Sequence, residues 1–93
     1  MPAYMVSQYT SSKELDAYRA AASELNRKHG AKILTRAGTA RCIEGDWKAD
    51  SMVIIEFASL EAANRFFESK EYAEVKALRK NAPPLTIVVM DGA

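Results

Sequence analysis

The sequence has little that would direct it out of the cytoplasm. Its only cysteine, Cys42, cannot form a disulfide within the chain, and the first ten residues, MPAYMVSQYT, lack the charged and apolar segments of a signal peptide. The longest apolar run, residues 85–90, falls far short of the roughly 18 residues that cross a membrane. We therefore expect a soluble protein in a reducing, cytoplasmic setting.

An excess of charge of one sign is also missing. Lys and Arg number 13 against 12 Asp and Glu, which leaves a net charge of +1. This balance lacks the cationic surface that nucleic acid or an anionic membrane requires, so we expect neither as a partner. With 4 glycines and 3 prolines among 93 residues, nothing reads as a linker, and we predict a single domain over residues 1–93.

Recognised metal and phosphate motifs are absent as well. The carboxylates Glu44, Asp46 and Asp50 do not have metal-ligand spacing with the one histidine or the one cysteine. There is no glycine-rich phosphate loop. We predict no metal site and no cofactor. Cys42 and His29 are a poor nucleophile pair, because no neighbouring residue would activate the thiol.

The first third of the sequence predicts a strand followed by a helix. Residues 3–10 mix β-branched, aromatic and small polar residues, which is typical of a strand. Ser11 followed by Glu14 has the form of a capping box, and apolar residues then recur at helical spacing to about His29. Gly30 can take the left-handed conformation that ends a helix.

Two further strands are predicted in the middle of the sequence. Residues 31–38 alternate in polarity, and Gly38 marks a bend before residues 40–44, so we predict a kinked second strand. Trp47 lies in the following loop, and residues 51–57 predict a third strand. We expect the second and third strands to pair as a hairpin.

The last third predicts a divided helical region and a final strand. Ser59 and Ser69 are each placed to cap a helical stretch. The second stretch must end before Pro83 and Pro84, because proline cannot continue a helix. Residues 85–90, LTIVVM, predict the last strand.

The predicted order, β-α-β-β-α-β, is that of a ferredoxin-like α+β fold with an antiparallel sheet. Right-handed crossovers place the first and third strands at its centre. Helices can cover only one face of this sheet, yet LTIVVM is apolar at five of six positions and the third strand contains MVII. A second copy docked sheet to sheet is the simplest cover, so we predict a homodimer.

Five segments of the sequence, taken in order, resemble a known family: PAYMV, HGAKILTRAG, IEGDW, IEFASLEAANRFFESKEY and LRK. This is the domain-of-unknown-function 1330 family of the dimeric α/β-barrel superfamily, and the resemblance covers essentially the whole chain. Ala31 departs from a usual Gly, and Ala58 and Lys70 from a common Pro. The resemblance implies a ferredoxin-like protomer, a dimeric α/β barrel with facing sheets, and no settled activity. The superfamily contains cofactor-independent monooxygenases and small-molecule-binding proteins, but fold alone does not transfer chemistry.

His29 and Arg36 are the candidate catalytic residues. Histidine is the residue best suited to proton transfer at neutral pH, and His29 is the only one, although it can instead serve as a cation at the helix C-terminus. Arg36, within a sheet, requires a carboxylate or an anionic ligand. Glu56 on the paired strand is a candidate partner, so Arg36 forms either an ion pair or a ligand clamp.

The candidate ligand-binding residues are Trp47, Glu56, Tyr72 and Arg79. Trp47 either stacks on a ligand as a lid or closes the end of the core or dimer. Tyr72 belongs to an aromatic stripe that is more often core than binding site, but it brings a hydroxyl. Arg79 falls near the same helix face, where it either lines a polar pocket or is solvated.

Two functions from different classes fit these residues. The first is binding of a small anionic or oxygenated organic molecule in a pocket between sheet and helices, with cofactor-independent oxidation or isomerisation as the reaction. There, His29 would shuttle a proton while Arg36 steadies negative charge. The second is a non-catalytic dimeric binding or regulatory module.

Overall fold

The computed structural model describes all 93 residues and contains four strands and three α-helices. In chain order the elements are β1 (Ala3–Tyr9), α1 (Asp16–Lys28), β2 (Lys32–Ile33), β3 (Ser51–Phe57), α2 (Leu60–Glu68), α3 (Lys70–Lys76) and β4 (Thr86–Asp91). Short 3₁₀ turns precede α1, at Lys13–Leu15, and follow α3, at Ala77–Arg79. The predicted β-α-β-β-α-β order is confirmed, with the second helical region divided into α2 and α3.

The four strands form one antiparallel sheet in the order β2-β3-β1-β4, which confirms that β1 and β3 are central. β1 pairs with β3 along its whole length, from Ala3 opposite Phe57 to Tyr9 opposite Ser51. Side chains on β1 alternate between buried and half-buried, as expected for a strand packed on its two faces against different surroundings. The bounds of β1, β3 and β4 agree with the predicted ones to within one residue.

The second strand is much shorter than predicted. The sequence predicts a kinked strand over most of residues 31–44, but β2 comprises only Lys32–Ile33. The ladder ends because the backbone N–H of Ile54 donates to the side-chain hydroxyl of Thr35, at 2.9 Å, instead of to a backbone carbonyl. Gly38 then takes φ +84°, a left-handed conformation that strands do not contain.

The predicted capping box at the start of α1 is wrong. Instead of capping the helix, the backbone N–H and hydroxyl of Ser11 both donate to Oδ1 of Asp50, at 2.9 and 3.0 Å. Hydrogen bonds to an ionised carboxylate are stronger than those between neutral groups. The contact connects the segment before α1 with Asp50, which directly precedes β3. The Ser11 N–H, followed by the Ser51 hydroxyl, holds the pKa of the Asp50 carboxyl below its usual value.

The end of α1 agrees with the prediction. Gly30 follows the helix with φ +75°, and its N–H donates to the Arg27 carbonyl at 3.1 Å. The N–H of Ala31 donates to the Asn26 carbonyl at 2.9 Å. These two bonds form a Schellman motif, which satisfies carbonyls that the last helical turn leaves free.

Two serines set the bounds of α2 and α3 as the sequence predicts. The N–H of Ala62 donates to the Ser59 hydroxyl at 3.0 Å, and the N–H of Tyr72 donates to the Ser69 hydroxyl at 3.1 Å. The Ser69 hydroxyl also donates to the Phe66 carbonyl at 2.7 Å, so one residue ends α2 and begins α3.

The hydrophobic core lies between the helices and one face of the sheet. It is a single cluster of ten buried residues that includes Leu15, Phe57 and Phe66. Ile87 and Val89 of β4 pack against this cluster, so the alternate residues of β4 point to the opposite side of the sheet. None of the helices is both long and apolar enough to span a membrane.

No helix covers the opposite side of the sheet, which we call the open face. Its strand residues are Tyr4, Val6, Gln8, Lys32, Met52, Ile54, Glu56, Thr86, Val88 and Met90. Val88 and Met90 are 45% and 47% exposed, and Leu34, just beyond β2, is 48% exposed. The chain therefore leaves large apolar side chains of this face in contact with solvent.

Candidate functional site

A cavity of about 130 Å³ lies between α1 and the helix-covered face of the sheet. Small side chains create it: Ser7 lies in β1 between the larger Met5 and Tyr9, and Ala22 lines the cavity from α1. Ile55 of β3 adds a further apolar wall, and most of the lining residues are hydrophobic. Such a mixed but mainly apolar hollow is the usual form of a small-molecule site.

Buried polar residues line this cavity. Ser7 on β1 and Tyr18 and Asn26 on α1 are only 6%, 7% and 3% exposed. Oδ1 of Asn26 is buried and has no hydrogen-bond partner. An unpaired buried polar group costs about 1–3 kcal/mol, so proteins seldom keep one without a use or a partner.

The cavity reaches the surface between α1 and the segment that follows β2. Exposed residues line it there: Arg19 from α1, and Ile33 and Thr35 from the sheet edge. Arg19 is the only charged residue in the lining, and its guanidinium carbon lies 5.4 Å from the centre of the Tyr9 ring. This cation–π contact holds the one charge at the opening.

Tyr18 connects the cavity to a polar cluster between α1 and α3. Its hydroxyl lies 2.9 Å from the hydroxyl of Tyr72, and the guanidinium carbon of Arg79 lies 5.1 Å from the centre of its ring. Nε of Arg79 is buried without a hydrogen-bond partner. Burial, and next the hydrogen bond with Tyr72, raises the pKa of the Tyr18 phenol well above its usual value. Tyr18 therefore stays neutral and available as a donor or acceptor.

The predicted catalytic residues His29 and Arg36 do not line this cavity. His29 follows α1 as an exposed residue, with its ring edge-on to Phe66 at 5.3 Å between centroids. Arg36 is exposed in the segment between β2 and β3, where its carbonyl accepts a hydrogen bond from the Thr39 hydroxyl at 2.7 Å. It forms no ion pair with Glu56, because the register of β2 on β3 places Lys32 rather than Arg36 opposite Glu56, and β2 ends at Ile33.

Trp47 and Glu56 lie on the open face, away from the cavity. Nε1–H of Trp47 donates to Oε1 of Gln8 at 2.8 Å, and the indole is half-buried. In the sheet, Glu56 lies opposite Tyr4 of β1 on one side and opposite Lys32 of β2 on the other. Trp47 also lines a second, wider depression of about 500 Å³, formed with Met52 and the segment before β3. The six predicted site residues are thus divided between the two sides of the sheet.

Sequence reasoning placed Tyr72 and Arg79 near one helix face but did not select the residues of the cavity itself. The missed residues are Ser7, Tyr18, Arg19 and Asn26. A usable signal was present for two of them: Ser7 interrupts the large side chains on the inward face of β1, and Asn26 follows Ala22 by four residues on the inward face of α1. A polar residue on a face that is otherwise apolar marks either a hydrogen-bonded pair or a site.

The fold and the cavity define a class of protein, namely a ferredoxin-like α+β domain with a small, largely apolar cavity beneath its first helix. Within this class the chain belongs to the family described as Domain of unknown function (DUF1330), whose model matches residues 2–93. The family resemblance seen in the sequence is thereby confirmed. No curated protein matches the sequence.

Solved structures share the fold at low sequence identity. A protein of unknown function from Rhodopseudomonas palustris, RPA0582, is 16% identical with a TM-score of 0.74, over 99% of this chain and 82% of that one. A dimeric protein of unknown function with a ferredoxin-like fold, from Bacteroides fragilis, is 9% identical with a TM-score of 0.63, over 98% and 96%. A Caulobacter crescentus protein provisionally assigned as an antibiotic biosynthesis monooxygenase is 13% identical with a TM-score of 0.61, over 99% and 89%.

Proposed function

We propose that the protein binds a small oxygenated or anionic organic molecule in the cavity between α1 and the sheet. One observation carries the proposal: a mainly apolar hollow contains buried Ser7, Tyr18 and Asn26, and Oδ1 of Asn26 has no partner in the chain. A ligand with a polar group could satisfy some of this unused hydrogen-bonding capacity while its apolar body fills the rest of the cavity.

Whether the bound molecule reacts separates two versions of this function. Cofactor-independent oxidation or isomerisation is favoured by the fold shared with proteins assigned as antibiotic biosynthesis monooxygenases. A non-catalytic binding or regulatory module is favoured by the lining, which contains no His, Asp, Glu or Lys that could act as a general base. Catalytic roles for His29 and Arg36 stay predictions, to be tested by loss of turnover in His29→Ala and Arg36→Ala.

We also propose that the protein is a cytoplasmic homodimer joined through the open face. The exposed Val88 and Met90 support the interface, since apolar area of this kind is usually covered by a partner. The Bacteroides fragilis neighbour with the same fold is described as dimeric. The free thiol of Cys42 is exposed, which agrees with a reducing compartment.

Filling the cavity tests the binding proposal. Ala22→Leu adds a larger side chain to the cavity wall, and the matched control Ala20→Leu makes the same change at an exposed position of α1. We expect a panel of small metabolites to include ligands that raise the melting temperature of the wild type and of Ala20→Leu but not of Ala22→Leu. Equal stabilisation of all three proteins would place the ligand elsewhere.

A further inference from the structure

The volume of the cavity limits the size of its ligand. At about 130 Å³ it is close to the engineered apolar cavity of about 150 Å³ that holds benzene, and well below the roughly 300–1,000 Å³ of pockets for drug-sized molecules. A single six-membered ring with one small substituent approaches the limit. A fused-ring molecule would exceed this volume and extend out through the opening.

The charge of the lining limits the ligand further. Arg19 is the only charged lining residue, and it is exposed at the opening, where its guanidinium carbon lies 5.4 Å from the centre of the Tyr9 ring. The inner wall contains only neutral groups, so a carboxylate placed there would be buried without a counter-charge. That cost exceeds the gain from filling the space.

The polar atoms of the inner wall belong to residues on opposite elements. Ser7 projects from β1 and Asn26 from α1, and Oδ1 of Asn26 is buried without a hydrogen-bond partner. A serine hydroxyl and a carboxamide can both donate and accept. The ligand group that complements them is one that both donates and accepts hydrogen bonds without carrying a charge, and a hydroxyl is such a group.

We infer that the ligand is an uncharged, single-ring-sized molecule bearing a hydroxyl group, that is, a phenol rather than an aromatic acid. The inference rests on the proposed function and narrows it from anionic or oxygenated molecules to neutral hydroxylated ones. The ring lies against Met5, Ile55 and Ala22, and the hydroxyl bonds to Asn26 or Ser7.

Three probes of similar size and different polarity test this inference at pH 7: phenol, toluene and benzoate. A phenol keeps its proton at this pH, as tyrosine does with its pKa of about 10, whereas benzoate is ionised. In titrations followed by amide NMR we expect phenol to shift resonances of β1 and α1 and to bind about fivefold more tightly than toluene, the value of one neutral hydrogen bond. Benzoate should produce no shifts at these residues.

Two variants locate the hydrogen bond. Asn26→Leu should reduce phenol affinity to the toluene level and leave toluene binding intact, and Ser7→Ala is the smaller change if Asn26→Leu does not fold. If neither variant weakens phenol relative to toluene, the assignment of the hydroxyl is overturned.

The other outcomes separate this inference from the proposed function. Benzoate or toluene binding more tightly than phenol, and lost in Ala22→Leu, would overturn the phenol assignment and leave the cavity as a ligand site. If none of the three probes binds while larger metabolites stabilise the wild type but not Ala22→Leu, only the size and class are wrong. If nothing tested responds to Ala22→Leu, both proposals fail.

Discussion

At the scale of the residue, Tyr18 faces two surroundings at once. Its side chain lines the cavity, its hydroxyl lies 2.9 Å from that of Tyr72, and the guanidinium carbon of Arg79 lies 5.1 Å from the centre of the Tyr18 ring. Burial makes the neutral phenol more favourable than the phenolate, and the tyrosine pair adds to this preference. The same side chain therefore couples the cavity to the packing of α3.

The raised pKa of Tyr18 predicts how stability changes at alkaline pH. The folded state holds the phenol proton above the ordinary value of 10.0, so its contribution is present below pH 10 and is lost as the pH rises beyond it. We expect the free energy of unfolding to fall by up to about 1.4 kcal/mol per pH unit above pH 10 from this group. Tyr18→Phe should flatten that decline in urea titrations. A decline in Tyr18→Phe as steep as that of the wild type would contradict this role for Tyr18.

Residue chemistry also shows why the site was only partly predictable. Tyr72 and Arg79 could be connected because helical spacing brings residues seven apart onto one face. Ser7 and Asn26 could not be connected in this way, because a contact between β1 and α1 depends on how the helix packs on the sheet. A single serine or asparagine also forms no recognisable motif. The expected Arg36 and Glu56 pair does not form because the register of β2 on β3 places Lys32 opposite Glu56, and local sequence patterns did not reveal that register.

At the scale of the element, local signals worked where few residues decide the outcome. Ser59, Ser69 and Gly30 each act through the backbone of their own turn, and each lies where the sequence predicted. The prediction failed in two places where a hydrogen bond between residues distant in sequence decides the structure. Ser11 donates to Asp50 instead of capping α1, and the hydroxyl of Thr35 accepts from Ile54 and ends β2. Neither partner is recognisable from local periodicity.

Gly30 provides a test of the end of α1. A Cβ at this position would meet no atom within 4 Å, so substitution there costs only the backbone energy of φ +75°. We expect Gly30→Ala to lower the free energy of unfolding by about 1–2 kcal/mol, measured by urea denaturation. Gly30→Asn should lose less, because asparagine tolerates the left-handed region better than alanine. An alanine variant as stable as the wild type would show that the turn relaxes.

At the scale of the whole molecule, the two faces of the sheet have different surroundings. One face is filled by the helices and contains the cavity, while the other exposes Val88 and Met90 and carries the half-buried Trp47. The strand sequences predicted an uncovered apolar face, because both sets of alternate residues are largely apolar and the helices can cover only one of the two faces. What the sequence could not predict was the long irregular segment between β2 and β3, which borders the open face.

A charge on the open face tests the dimer. We expect the wild type to sediment at twice its chain mass of 10.3 kDa at micromolar concentration. Met90→Glu should sediment as a monomer, because the interface would bury an unpaired carboxylate. The control Ala73→Glu adds the same charge on the exposed side of α3 and should remain a dimer. A wild type that sediments as a monomer would contradict the proposed interface.

The position of Trp47 has a practical consequence for work in solution. It is the only tryptophan, and its indole is half-buried beside the open face, tied to Gln8 through Nε1–H. Indole emission shifts to longer wavelength when water reaches the ring. Association and dissociation of two copies would therefore shift the emission maximum of Trp47. The chain would thus carry an intrinsic optical reporter of the proposed dimer, with no label required.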